Sequence, residues 1–524
     1  MSPLHDAPLP PRLVATALSL HDDRPCLDLG GRTLTYREVR EATSRMAQAQ
    51  RALGLDVGSR VAVLSGNRPE VLTNLAATIV NGCVLTPLHP MGSLDDHAFV
   101  VDDAGIECLI VDVHRFGERA RALAERCPGL RVVGFGPSDV GDDYLALADG
   151  FEARPLEPAE VTPDDLCTLL YTGGTTGRPK GVLLPQRVWA TLTSIQLADW
   201  ELPAELRVLV ATPLSHAAMS LLMPVLIRGG SFHVLESFSP DAFYDRVERD
   251  RITATLIVPV MLYALQSSER YGTADVSSLE SIYYGASPMS PTKLADAIER
   301  WGRIFFQFYG QTEAPMAVTA LRREDHDPAD PTGAIASCGR PSPWVRVALL
   351  DPDGIEVEQG EPGEICVRGP LVMDGYAGRP DETAETLVDG WLRTGDVGRL
   401  DERGFVHIVD RTKDMIISGG FNVYPREVED VLTTHGAVEV AMVVGVPDET
   451  WGEAVIAVVR LRPDAEASDE LAAELRSLVR EAKGPAQSPK RIEFVDEVPL
   501  TPVGKPDKRA VRARFWEGAD RAVG

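Results

Sequence analysis

Between Arg60 and Phe135, short apolar runs alternate with stretches of helical periodicity, and that alternation limits the chain to few folds. Arg60–Leu64, Val84–Leu88, Cys108–Val111 and Arg131–Phe135 read as buried strands, and Glu70–Asn81 and Phe116–Arg126 as helices. Such alternation implies βαβ units around a parallel sheet. A Pro/Glu/Asp-rich stretch, Glu152–Asp165, leads to a second alternating block with strands near Val208–Ala211, Ser231–Leu235, Ala254–Val258 and Ile304–Phe308. After about Ser342 the pattern turns strand-rich, at Val345–Leu350, Glu364–Arg368 and Phe405–Val409. From Asp410 a small α+β unit is expected. It runs through strand Met415–Ile417, helix Pro425–Thr434, strands Val438–Val444 and Ala454–Arg460, helix Asp469–Lys483 and strand Arg491–Val495. The expected fold is α/β: a large N-terminal domain, 1–409, of two βαβ-type sheets plus a strand-rich subdomain, followed by a small α+β domain, 410–524.

The segment Tyr171-Thr-Gly-Gly-Thr-Thr-Gly-Arg-Pro-Lys-Gly181 lies between two further strand-like runs, Leu166–Leu170 and Val182–Leu184. Its glycines let backbone amides approach an anion, its threonines add hydroxyl donors, and Arg178 and Lys180 add positive charge. It is a phosphate cradle, with a flexible Gly/Thr hairpin as the alternative. It departs from the Walker loop, because Lys180 follows Pro179 and Gly181 stands where Ser or Thr would hold Mg²⁺.

Phe308-Tyr-Gly-Gln-Thr-Glu313 ends another apolar strand, and ligands of open α/β sheets bind at strand C-termini. There Tyr309 can stack on a base, Thr312 can hydrogen-bond a phosphate, and Glu313 can ligate a hard cation. Asp396, in Gly390–Asp396, can accept hydrogen bonds from both ribose hydroxyls, with Arg411 helping to hold the sugar. Taken singly, these acids and bases also fit surface ion pairs. Lys505, on the turn within Pro499–Lys508, would alone read as a solvated lysine.

In this order and at these intervals, the segments resemble the adenylate-forming superfamily. The resemblance covers the chain from Thr35-Tyr-Arg-Glu38 to Lys505. Gly445–Glu453 and Ile416-Ile-Ser-Gly-Gly420 look most like bacterial medium- and long-chain acyl-CoA ligases. The resemblance implies an ATP-dependent carboxylate–CoA ligase that adenylates a hydrophobic acid and passes the acyl group to coenzyme A, releasing AMP and pyrophosphate. It implies an ATP site of Thr172, Gly173, Gly174, Thr175, Thr176, Gly177, Lys180, Gly285, Ala286, Ser287, Tyr309, Gly310, Gln311, Thr312, Asp396, Arg411 and Lys505. Glu313 and Thr172 would hold Mg²⁺, and Lys505, Thr172 and Glu313 would be catalytic. The C-terminal domain would be mobile, turning about a hinge at Asp410 to exchange Lys505 for Gly419, Gly420 and Trp451 at the CoA tunnel.

The acyl pocket implied by the resemblance contains His216, Met219, Met261, Gly285, Gly310 and Met316. Core packing is the alternative for the methionines, and a turn cap for His216. Amino-acid-activating relatives place an Asp just after the segment matching Leu214–Met219. Here the run Ala217–Leu221 has no acid, so a fatty, aryl or polycyclic acid is expected. Many CoA ligases carry an aromatic-Lys-x-Pro-Lys segment before the last strand. Pro485-Ala-Gln-Ser-Pro-Lys490 lacks the aromatic and the first lysine. A separate acyl-carrier protein is therefore the alternative acceptor.

With 52 Lys and Arg against 78 Asp and Glu, the formal charge of −26 disfavours nucleic acid and anionic lipid as partners. The longest apolar window, Ala217–Ile227, is too short for a bilayer. The cysteines show no CxxC spacing and read as buried reduced thiols, so a cytoplasmic protein is expected. The oligomeric state is left open, a homodimer included.

Overall fold

The computed structural model describes residues 8–172, 179–330, 333–411, 414–418, 421–448, 452–485, 487–499 and 507–515. Two compact units divide the chain: 1–347 with 367–392, and 348–366 with 393–524.

Two sheets form the first unit. In the one built by the first alternating block, Val84–Pro87, Arg60–Leu64, Cys108–Val111 and Arg131–Gly134 are neighbours and parallel. On its other flank come Leu166–Thr172, Lys180–Pro185 and Gly375–Tyr376, the last two pairs antiparallel. The second sheet has the parallel core Ser231–Val234, Arg207–Val210, Ala254–Ile257, Ser281–Tyr284 and Phe305–Gln311. Parallel neighbours need crossovers, and helices supply them. Pro69–Val80, Pro240–Asp250, Pro259–Gln266 and Pro291–Trp301 each open on a proline, whose missing N–H costs nothing in the first turn. Helix Tyr36–Ala52 starts at the Thr35/Glu38 segment, which forms a reciprocal capping box.

Strand alternation sorts the core. Val208 and Val210 join a cluster that takes side chains from both sheets, whereas Leu209 and Ala211 pack on the opposite face with Phe243, Tyr244 and Leu262. A further cluster holds Ala62, Leu64, Leu109 and Val111 against Val100, Ala120 and Leu123. Both sheets are thus covered on both faces, as the apolar strands require. Buried polar groups tie the layers. The Arg246 guanidinium reaches Asp28 Oδ1 and Asp250 Oδ2, both at 2.7 Å, and His233 Nδ1 lies 3.3 Å from Asp250. With Arg246 bridging both acids, this group is an ion-pair network.

His326 is wholly buried, with Nε2 2.9 Å from Tyr284 Oη and Nδ1 2.7 Å from Arg322 O. The carbonyl can only accept, so Nδ1 carries the proton of a neutral ring. Burial pushes the His326 pKa down to about 4. Above about pH 6.5 both folded and unfolded states hold it neutral. As pH falls from there to about 4 only the unfolded state binds the proton, so stability declines. The expected loss is about 3 kcal/mol at pH 4. Denaturant unfolding at pH 7 and pH 4.5 should show a smaller acid loss for His326→Gln than for the parent chain.

In the second unit, strands Val438–Asp448 and Gly452–Leu461 pair antiparallel, flanked by Ile416–Ser418 and by Arg491–Phe494. Helices Pro425–Thr433 and Asp469–Lys483 bury Val428, Leu432, Leu475 and Val479 against Val443, Val455 and Val459. Met442, Val444, Ile456 and Val458 face the other way, against Val498 and Val511. Strand Val406–Arg411 pairs with Trp391–Leu400. The α/β class, the two sheets and the small α+β part agree with expectation.

Candidate active site

The glycine loop joins two antiparallel strands whose last described pair is Thr172 opposite Lys180. Gly173, Gly174, Thr175, Thr176 and Gly177 lie outside the described residues. Lys180 Nζ is 2.5 Å from Glu382 Oε2 and 5.0 Å from the centroid of the Tyr376 ring. A Cβ on Gly181 would come within 3.0 Å of the Tyr171 ring, whose hydroxyl donates to Asp103 at 2.6 Å.

Glu313 does not sit at an open strand end. Strand Phe305–Gln311 reverses at Thr312–Glu313 into Ala314–Leu321, making an antiparallel hairpin with a bulge at Gly310. A Cβ on Gly310 would meet Met316 N at 2.4 Å and Ala314 O at 2.6 Å, and Met316 itself has a φ of 59°. The hairpin leaves Glu313 only 8% exposed. Tyr376 donates to its Oε1 at 2.8 Å. Burial, then the Glu313 charge, pushes the Tyr376 pKa up, so that hydroxyl stays protonated and donates. Glu313 Oε2 takes no hydrogen bond from a described residue, an oxygen donor suited to a hard cation.

Beside this hairpin, Gly285 leaves room for Phe308, whose carbonyl would lie 2.5 Å from a Cβ there. Ala286 turns the chain with a φ of 65°, and Ser287 follows half-buried. Phe308 stacks on Trp200 at 5.2 Å. Met219 is buried in the same cluster as Phe308, with Met316 packed against it, whereas Met261 is buried in the cluster on the sheet's opposite face. The structure brings Tyr309, Gly310, Gln311, Thr312, Glu313 and Met316 together in one hairpin, and does not bring Met261 to them.

His216 is exposed to solvent, yet desolvation by the surrounding protein and the neighbouring His89 push its pKa down to about 4. His89 packs edge-on against the His216 ring at 4.7 Å, and Ser215 Oγ lies 2.9 Å from His216 Nδ1. Asn67 clamps the segment, donating to Thr212 O at 3.0 Å and accepting from Leu214 N at 2.9 Å.

In the second unit, Asp396 is buried and pairs in register with Arg411. Asp410 is also buried, and its Oδ2 accepts from Arg426 N at 2.9 Å, at the start of helix Pro425–Thr433. Lys508 Nζ lies 2.9 Å from Glu429 Oε1. Gly419, Gly420, Trp451 and Lys505 lie outside the described residues. Sequence reasoning missed Tyr376, Glu382 and His89. The Gly375-Tyr376 pair and the proline-led helix Pro380–Thr386 were the available signals for the first two; nothing marked His89 before its partner was placed.

The fold and these segments define an adenylate-forming enzyme. The chain belongs to this family: the profile described as AMP-binding enzyme matches residues 14–377, and that of the AMP-binding enzyme C-terminal domain matches 427–505. It is 51% identical over 535 residues to the medium/long-chain-fatty-acid–CoA ligase FadD8 of Mycobacterium tuberculosis, spanning 100% of this chain and 92% of that one. It is 40% identical to a feruloyl-CoA synthase of Amycolatopsis, over 93% of this chain and 95% of that one. The amide bond synthetase McbA of Marinactinospora thermotolerans superposes with a TM-score of 0.88 at 35% identity, covering 96% of this chain and 99% of that one. Within the superfamily the chain falls in the acyl-CoA synthetase branch, the AMP-forming acid–thiol ligases. Among the described residues, no helix is long and apolar enough to cross a membrane.

Proposed function

We propose that the protein activates medium- and long-chain fatty acids, with aryl acids as weaker substrates, and transfers the acyl group to coenzyme A. The observation that carries this reading is the composition of the segment after His216. Ala217–Leu221 offers methionine, leucine and small residues with no carboxylate for an ammonium group, and the FadD8 relative is named for fatty acids. In the first step a carboxylate oxygen attacks the α-phosphorus of ATP and the bond to pyrophosphate breaks. Lys505 bridges the two anions, and Lys180 with the loop amides takes the charge of the departing group. Glu313 and Thr172 would hold Mg²⁺, which when bound neutralises phosphate charge. Asp396 and Arg411 hold the ribose. In the second step the coenzyme A sulfur attacks the acyl carbon, the thiol proton is lost and AMP leaves. The C-terminal domain, 410–524, turns about Asp410 between the steps so that Gly419 and Gly420 replace Lys505.

A carrier protein as acceptor is the second reading, favoured by the segment before Lys490. Lys483 is there engaged with Glu427 at 3.4 Å, and the aromatic and first lysine of many CoA ligases are missing. Pyrophosphate release should be screened with octanoate, palmitate, ferulate and phenylalanine, followed by product analysis with coenzyme A and with a holo-carrier protein. Fastest release with the fatty acids, and a CoA thioester at millimolar coenzyme A, is the expected result. Preference for phenylalanine, or thioester only on the carrier, would overturn the corresponding half of the proposal.

A further inference from the structure

Tyr376 stands where two pieces of the first unit's phosphate machinery meet. The backbone around it stitches them together: Ala377 N donates to Gly181 O at 2.8 Å and Met373 N to Glu313 O at 2.9 Å. In the strand pair, Tyr376 lies opposite Val182. The side chain repeats the link, with Oη on Glu313 Oε1 at 2.8 Å and the ring face 5.0 Å from Lys180 Nζ. Tyr376 is itself fixed. Its N–H donates to Thr383 Oγ1 at 2.9 Å, and that hydroxyl donates to Arg379 O at 2.8 Å.

We propose that Tyr376 is a positioning residue for adenylation, its hydroxyl orienting Glu313 and its ring retaining Lys180 while the lysine changes partner. This rests on the reading of Glu313 as the cation's ligand. A buried carboxylate held at one oxygen has less freedom to lose when its other oxygen takes up a cation, so binding is tighter. For Lys180 the consequence is different. Its ammonium is paired with Glu382 at 2.5 Å and must exchange that carboxylate for a phosphate oxygen when the nucleotide arrives. An aromatic face attracts the ammonium without a formal charge of its own, so it can stay in contact through the exchange.

Two substitutions in the full-length protein separate the roles. Tyr376→Phe keeps the ring and removes the hydroxyl; Tyr376→Leu removes both. Mn²⁺ is titrated onto protein saturated with α,β-methylene-ATP, without acid, and unbound Mn²⁺ is read by electron paramagnetic resonance. Metal-free pyrophosphate binding is measured by calorimetry. Tyr376→Phe should raise half-occupancy by Mn²⁺ roughly tenfold or more, as expected for one charge-assisted hydrogen bond, and leave pyrophosphate binding within about twofold. Tyr376→Leu should in addition weaken pyrophosphate about threefold or more. If Tyr376→Phe matches the parent while Glu313→Gln loses Mn²⁺, the role of Tyr376 is overturned and that of Glu313 stands. If Glu313→Gln binds Mn²⁺ as the parent does, the ligand assignment falls and the proposal with it. Equal weakening of both probes by Tyr376→Phe also overturns it, because the hydroxyl then has no selective action on the cation.

Discussion

Replacing Lys505 with alanine is expected to lower adenylation at least a hundredfold while leaving thioester formation from a supplied acyl-adenylate within a few-fold of the parent. Bringing a carboxylate to an α-phosphate sets two anions in contact, and at about 4 Å their repulsion in a protein setting is about 4 kcal/mol. A cation between them counts most as the new bond forms, so its loss falls on turnover and much less on substrate affinity. Removing one such electrostatic contact from an active site commonly costs about 10²–10³ in kcat. Lys505 has no second role in the expected thiol step, which is why the two half-reactions should separate. Pyrophosphate release measures the first, and conversion of synthetic acyl-adenylate with coenzyme A measures the second. Equal loss in both would mean that Lys505 supports the unit as a whole.

Gly310→Val should be the most damaging single change in the first unit. The added Cβ would lie 2.4 Å from one backbone atom and 2.6 Å from another, and neither can swing away as a side-chain tip would. Relief requires opening the bulge between Phe305–Gln311 and Ala314–Leu321, at a cost of about 2–4 kcal/mol. The turn carrying Glu313 would move with it, so adenylation should fall further than stability alone explains. Gly117→Ala provides the control, because a Cβ there meets nothing within 4 Å and the backbone is not in the left-handed region. Thermal unfolding beside pyrophosphate release checks the pair. A Gly310→Val protein with the parent's melting temperature and activity would contradict the geometry.

The legible parts of this chain were those in which one local pattern decides the structure. Strands Arg60–Leu64 and Cys108–Val111 and helix Asp469–Lys483 fall where the apolar periodicity puts them. The hairpin at Glu313 was not legible, because Ala314–Leu321 has no turn signal before it beyond Gly310, and the reversal depends on a bulge that only contacts define. Met219 and Met261 looked equivalent in sequence, yet they pack on opposite faces of one sheet, a distinction set by tertiary register. Tyr376 carries no chemistry in isolation. It becomes meaningful only when pairing with Lys180–Pro185 brings it between an ammonium and a carboxylate.

The cysteines take on a different significance beside an acid–thiol ligase. Among the described residues none of the seven forms a disulfide, and all but the half-buried Cys127 are enclosed. Burial pushes the thiols of Cys26, Cys83, Cys108, Cys167 and Cys366 up to about 12, so each is held as an inert thiol at neutral pH. An acyl-adenylate is an electrophile that any accessible thiolate could intercept. With these five sulfurs protonated and out of reach, that reaction is left to the incoming thiol.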